Sequence, residues 1–111
     1  EGQLSVDVYE DGESIMVKST IAGVEPEDID VSIVNDMLTI RGERKRERKQ
    51  EDREYFFQEC YWGSFSRSII LPVDVDTKKI DATIKNGILT VKLPKLKKKS
   101  TKKVSIKDHN E

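Results

Sequence analysis

Ala82-Thr83-Ile84-Lys85-Asn86-Gly87-Ile88-Leu89-Thr90-Val91-Lys92-Leu93-Pro94 reads as a closed β-hairpin. Asn86-Gly87 supplies the two positive φ angles that a two-residue type I′ turn demands. On either side, Ile80–Lys85 and Ile88–Leu93 alternate apolar and polar side chains with period two. Each strand therefore turns one face to a core and the other to water.

Upstream the same grammar repeats. Asp11-Gly12 separates Leu4–Glu10 from Glu13–Thr20, and Asn35-Asp36 separates Ile29–Val34 from Met37–Arg41. The inward positions predicted from the alternation are Val6 and Val8, Ile15 and Val17, Ile29, Val31 and Ile33, then Leu38 and Ile40. Phe65, Ile69 and Leu71 follow, and Pro72 stops that strand. Short strands at regular turns predict an all-β, immunoglobulin-like β-sandwich.

Residues 41–54 break the pattern, with almost no apolar side chain. The segment has no face to bury and is expected to be a solvated loop. It feeds Tyr55-Phe56-Phe57-Gln58-Glu59-Cys60-Tyr61-Trp62, which holds five of the seven aromatics. A long polar loop leading to a short aromatic strand does not suit one compact domain. It suits a strand carried away to pair with another chain. After Pro94, six of the nine residues from Lys95 to Lys103 are lysine, and this tail is expected to be disordered. Val104-Ser105-Ile106 stands alone within it. Extended, that tripeptide puts two branched apolar side chains on one face, as if to fill a groove. A tail starting at Pro94 reaches roughly 33 Å by Val104.

At 111 residues the chain is one domain. Residues 1–36 carry ten acids and one base, −9, and residues 37–111 carry nineteen bases and eleven acids, +8. That split can steer association between copies, although most of these charges are expected to be solvated surface. No apolar run is long enough to span a membrane. Cys60 is the only cysteine, so no intrachain disulfide can form, and it is read as a small semi-buried residue in a reducing, cytoplasmic setting. The first residue is Glu1 rather than Met, and further sequence is expected to precede it. His109, the one histidine, lies in the tail, where no rigid Ser-His or Cys-His pair can be held. The glycines are isolated, and no His/Cys set has zinc spacing. The expectation is no enzyme, no cofactor and no metal. Arg44–Arg48 and Lys95–Lys103 raise nucleic-acid binding, but the aromatics are not interleaved with the basic tail as stacking platforms would be. Neither nucleic acid nor membrane is expected as a partner.

Several of these pieces together resemble the small heat-shock protein family, whose shared module is the α-crystallin domain. Its A-x4-G-x-L pattern with a terminal L-P is met by Ala82, Gly87, Leu89, Leu93 and Pro94, and its I/V-x-I/V tail anchor by Val104 and Ile106. Glu27-Asp28-Ile29, Leu38–Arg44 and Gly63–Ser68 leading to Leu71-Pro72 match further patterns in the right order. Cys60 and Trp62 depart from the residues common at their positions, and Ala22 stands where proline is frequent.

The resemblance implies an α-crystallin domain over 1–94, with a dimerisation strand in the loop 41–61, and a flexible C-terminal extension over 95–111. It implies a homodimer built by strand exchange through Tyr55, Phe56, Phe57 and Glu59, with Glu59 paired to Arg67 across the interface. It implies a groove lined by Val31, Ile33, Ile80, Ala82 and Ile84 that takes Val104 and Ile106 from another subunit. Gly87 and Leu89 belong to the structural motif. Higher oligomers are expected when an N-terminal arm is present. The implied activity is an ATP-independent chaperone, a holdase that binds partly unfolded client proteins. A non-enzymatic β-sandwich interaction or co-chaperone module is the other reading; such a module lacks the long loop and the tail anchor.

Overall fold

The computed structural model describes residues 2–46, 53–97 and 103–109. Its strands are β1 (Gly2–Gln3), β2 (Asp7–Asp11), β3 (Ser14–Thr20), β4 (Ile29–Val34), β5 (Met37–Arg44), β6 (Gly63–Ile70), β7 (Asp81–Lys85) and β8 (Ile88–Pro94). They form two four-stranded sheets, ordered β1-β6-β5-β4 and β2-β3-β8-β7. A 3-10 turn, Pro26–Asp28, leads into β4. The all-β sandwich predicted from the alternation is the architecture observed.

The deciding hairpin closes as its sequence requires. Lys85 pairs with Ile88, and Asn86 and Gly87 take φ of 53° and 76°. The Ile21 amide donates to the Gly87 carbonyl at 2.6 Å, fastening the turn to the end of β3. The first hairpin is shifted by one residue from its predicted place. Asp11 pairs with Ser14, so the loop is Gly12-Glu13, with Gly12 at φ 60°. Glycine at the first loop position is what a type II′ turn requires, and that preference sets the register.

The core is built from the central strands. Ile15 and Val17 of β3, Leu38 and Ile40 of β5, and Leu89, Val91 and Leu93 of β8 are buried. Each full burial stabilises by about 1.5–3 kcal/mol before chain entropy is counted. Leu4 is buried where the chain passes from one sheet to the other. That crossing is held by Ser19 Oγ donating to the Ser5 carbonyl at 2.7 Å and by Arg67 Nη1 donating to the Leu4 carbonyl at 3.0 Å. Val8, predicted inward, shares the face of its partner Val17 but is 39% exposed, because β2 is an edge strand and leaves it at the sandwich margin.

β5 runs to Arg44, three residues beyond the predicted end at Arg41. Backbone pairing of Arg41–Arg44 with Gly63–Ser66 of β6 needs no apolar side chains. Lys95 and Leu96 stay attached to the domain. The Lys95 amide donates to Glu13 O at 2.7 Å and the Leu96 amide to Asp74 O at 3.0 Å. No helix among the described residues is long and apolar enough to cross a membrane.

Candidate functional site

β4 is the outer strand of one sheet and β7 of the other, so their inward side chains line an open margin of the core. Val31 and Ile33 share their face with buried Ile40 and Leu38, and Ala82 and Ile84 share theirs with Val91 and Leu89. Two cavities lie in this margin. One, of about 280 Å³, is lined by Val31, Ile33, Leu38, Thr77, Ile80 and Ala82. The other, of about 250 Å³, is lined by Pro26, Ile29, Val31, Ala82, Ile84 and Leu89. Val31 and Ala82 are common to both, so the two form one furrow, walled by branched apolar side chains with Ser32, Thr77 and Thr83 among them. All five residues predicted to line a groove are brought together there. The groove reading did not include Ile29, Leu38 and Leu89, taken as strand or motif residues, the polar Ser32 and Thr83, or Pro26 and Thr77, which lie in connections whose position only the packing of the sheets decides.

A second feature is the loop between β5 and β6. Both its feet are fastened. Arg44 Nε donates to the Ala22 carbonyl at 2.8 Å, and its guanidinium lies over the Phe65 ring, 5.7 Å from the centroid. Lys45 Nζ meets Asp28 Oδ1 at 2.9 Å; that hydrogen bond and the carboxylate charge hold the ammonium above its ordinary pKa. At the other foot, Tyr61 Oη accepts from the Gly2 amide at 3.1 Å and donates to the Ser64 carbonyl. Between the feet, residues 53–62 form no strand. Phe56 is 99% exposed and Phe57 83%. Residues 47–52 of the predicted loop lie outside the described residues.

Glu59 is exposed in this segment, and it forms no ion pair with Arg67 within the chain. Cys60, predicted to be semi-buried, is exposed, because its segment has neither a ladder partner nor a covering layer. Val104 and Ile106 lie outside any strand or helix, at 76% and 97% exposure. Residues 98–102 of the lysine-rich tether lie outside the described residues. His109 is exposed.

Residues 7–107 match the model of the Hsp20/alpha crystallin family. Small heat shock protein C2 of Rickettsia felis is 34% identical over 91% of this chain and 66% of its own length. Heat shock protein 16 of Schizosaccharomyces pombe is 43% identical over 89% of this chain and 71% of its own. The chain thus spans about two thirds of the length of these relatives. Among solved structures, heat shock protein 16.0 from S. pombe superposes with a TM-score of 0.80 at 41% identity, covering 96% of this chain and all of that one. A small heat-shock protein from Xylella fastidiosa gives 0.78 at 28% identity, covering 95% and 96%. The crystal structure of that Xylella protein reveals a distinct high order structure.

Proposed function

The chain belongs to the Hsp20/alpha crystallin family, and from that premise we propose that it is an ATP-independent holdase chaperone that keeps partly unfolded proteins from aggregating. The observation that carries the proposal is the furrow between β4 and β7, an unclosed margin of the core. A chain without a phosphate-cradling loop captures clients passively, by mass action on the unfolded state. A cytoplasmic setting belongs to the same proposal, since Cys60 is free and has no second cysteine to pair with.

In this reading the protein works as a homodimer. Residues 55–60 cross to the edge of the partner's β2, whose one neighbour in its own sheet is β3. The exposure of Phe56 and Phe57 supports the exchange, because a second copy would cover what the single chain leaves in water. Glu59 and Arg67 pair across that interface.

The tail anchor docks in the furrow of another subunit. Val104 lies eight residues beyond Leu96, whose amide is tied to the domain, a reach of roughly 27 Å. Burying Val104 and Ile106 contributes roughly 3–6 kcal/mol before losses. Fixing the whole tether would cost on the order of 10 kcal/mol, so only the anchor is ordered and docking is reversible. At rest the tail shields the furrow, and under stress it yields the furrow to clients. The test is aggregation of a heat-labile client at a fixed protein ratio, with and without a free peptide spanning residues 102–108. Saturating peptide is expected to reduce protection. Full protection with the peptide demonstrably bound would move client capture away from the furrow.

A further inference from the structure

The outer face of the β4-β5-β6 sheet carries a row of side chains that breaks the polar pattern of its neighbours. Val34 pairs with Met37, and Met37 with Ile70, so the three stand side by side across three strands. The adjacent row, Ile33, Leu38 and Ile69, turns to the core, which puts Val34, Met37 and Ile70 on the solvent side. They are 69%, 42% and 69% exposed. The next outward row is Ser32, Thr39 and Ser68, and the one after it Asp30, Arg41 and Ser66. Scattered apolar residues on a surface are ordinary, but three in direct cross-strand register form a strip.

The strip is rigid. The Leu71 amide donates to the Asp36 carbonyl at 2.8 Å, tying the end of β6 to the turn beside Val34 and Met37. On its other side the Thr39 and Ser68 hydroxyls share a hydrogen bond at 3.1 Å.

We propose that Val34, Met37 and Ile70 form a second client-contact surface, separate from the furrow, that takes an extended apolar segment of an unfolded chain. The area decides the occupant. The strip offers on the order of 300 Å², well short of the roughly 800 Å² per partner that a stable folded interface buries. A second copy or another folded domain would not be held by it alone. Its width across three strands is about 10 Å, and an extended segment presents same-face side chains about 7 Å apart. Two alternate apolar residues of a client therefore fit across it, with the serine and threonine row beside them accepting water or client backbone. The biological role rests on the holdase reading; the binding surface does not.

The test compares the unaltered chain with a triple variant, Val34→Thr, Met37→Thr and Ile70→Thr. Threonine keeps a high strand preference, and the positions lie outside the core, so the melting temperature is expected to hold. An Ile70→Lys single variant serves if the triple does not fold. Two measurements are made: suppression of reduced insulin B-chain aggregation, and anisotropy of a fluorescent octapeptide with leucine at alternate positions and serine between, the latter with the furrow saturated by unlabelled peptide spanning residues 102–108. The expected result is peptide binding weakened roughly tenfold, the loss of a little over 1 kcal/mol of apolar contact, with protection reduced in parallel. Unchanged peptide binding overturns the inference, whatever the aggregation result. Loss of peptide binding in the variant, with no protection even by the unaltered chain, leaves the surface standing and removes the holdase reading instead.

Discussion

Gly42 of β5 stands opposite Phe65 of β6. A Cβ at Gly42 would run into the Phe65 ring and come within 3.0 Å of the Asp28 carbonyl oxygen. Phe65 is only 4% exposed and has no free side to move into. Gly42→Ala is therefore expected to destabilise by about 1–3 kcal/mol, read as a lower urea midpoint with an unchanged slope. Arg67 has one observed contact and one proposed contact to separate. Its bond to the Leu4 carbonyl is internal to the chain, so Arg67→Gly should cost about 1–3 kcal/mol of domain stability even without a partner. Glu59→Gln touches only the proposed interface. If Glu59 meets Arg67 across the dimer, that variant raises the dimer dissociation constant and leaves alone the melting point of the dissociated chain, measured at dilution. An unchanged constant by sedimentation would show that Glu59 is ordinary surface.

Among the elements, the loop between β5 and β6 is where sequence and isolated fold part company. Tyr55–Trp62 has the aromatic content of a strand, yet it forms none, because a strand is a pairing and needs a neighbour with free backbone groups. β2 has such an edge, and all five of its residues are exposed. Deleting residues 44–61 is expected to give a soluble monomer, with β5 shortened by its last residue, Arg44. A deletion variant that still sediments as a dimer would end the exchange proposal. The β7–β8 hairpin behaves oppositely. Its turn residues and its alternation agree, and its register follows from Asn86-Gly87 alone.

At the scale of the whole molecule, the radius of gyration is 21.7 Å, against about 13 Å for a compact chain of this length. Among the described residues, 53–62 and 103–109 belong to no strand of the two sheets. Val104 and Ile106 are apolar and exposed, which leaves them free for the proposed docking into another subunit. Val104→Ala with Ile106→Ala is expected to lower the assembly size seen by light scattering without changing the melting temperature of the domain. An unchanged size would mean that assembly does not run through the tail. The sequence by itself determined the all-β class, the hairpins, the alternation that selects most of the core, and the isolated V-x-I anchor. These are local signals, set by turn chemistry and by a period of two. It also named Val31, Ile33, Ile80, Ala82 and Ile84 together, through the resemblance rather than through their spacing. Only the tertiary structure decided that β4 and β7 are both edge strands, so that these five line an open furrow instead of a sealed core. Likewise, only the register of three strands aligned Val34, Met37 and Ile70, since no period along the chain links a residue of β6 to one of β4.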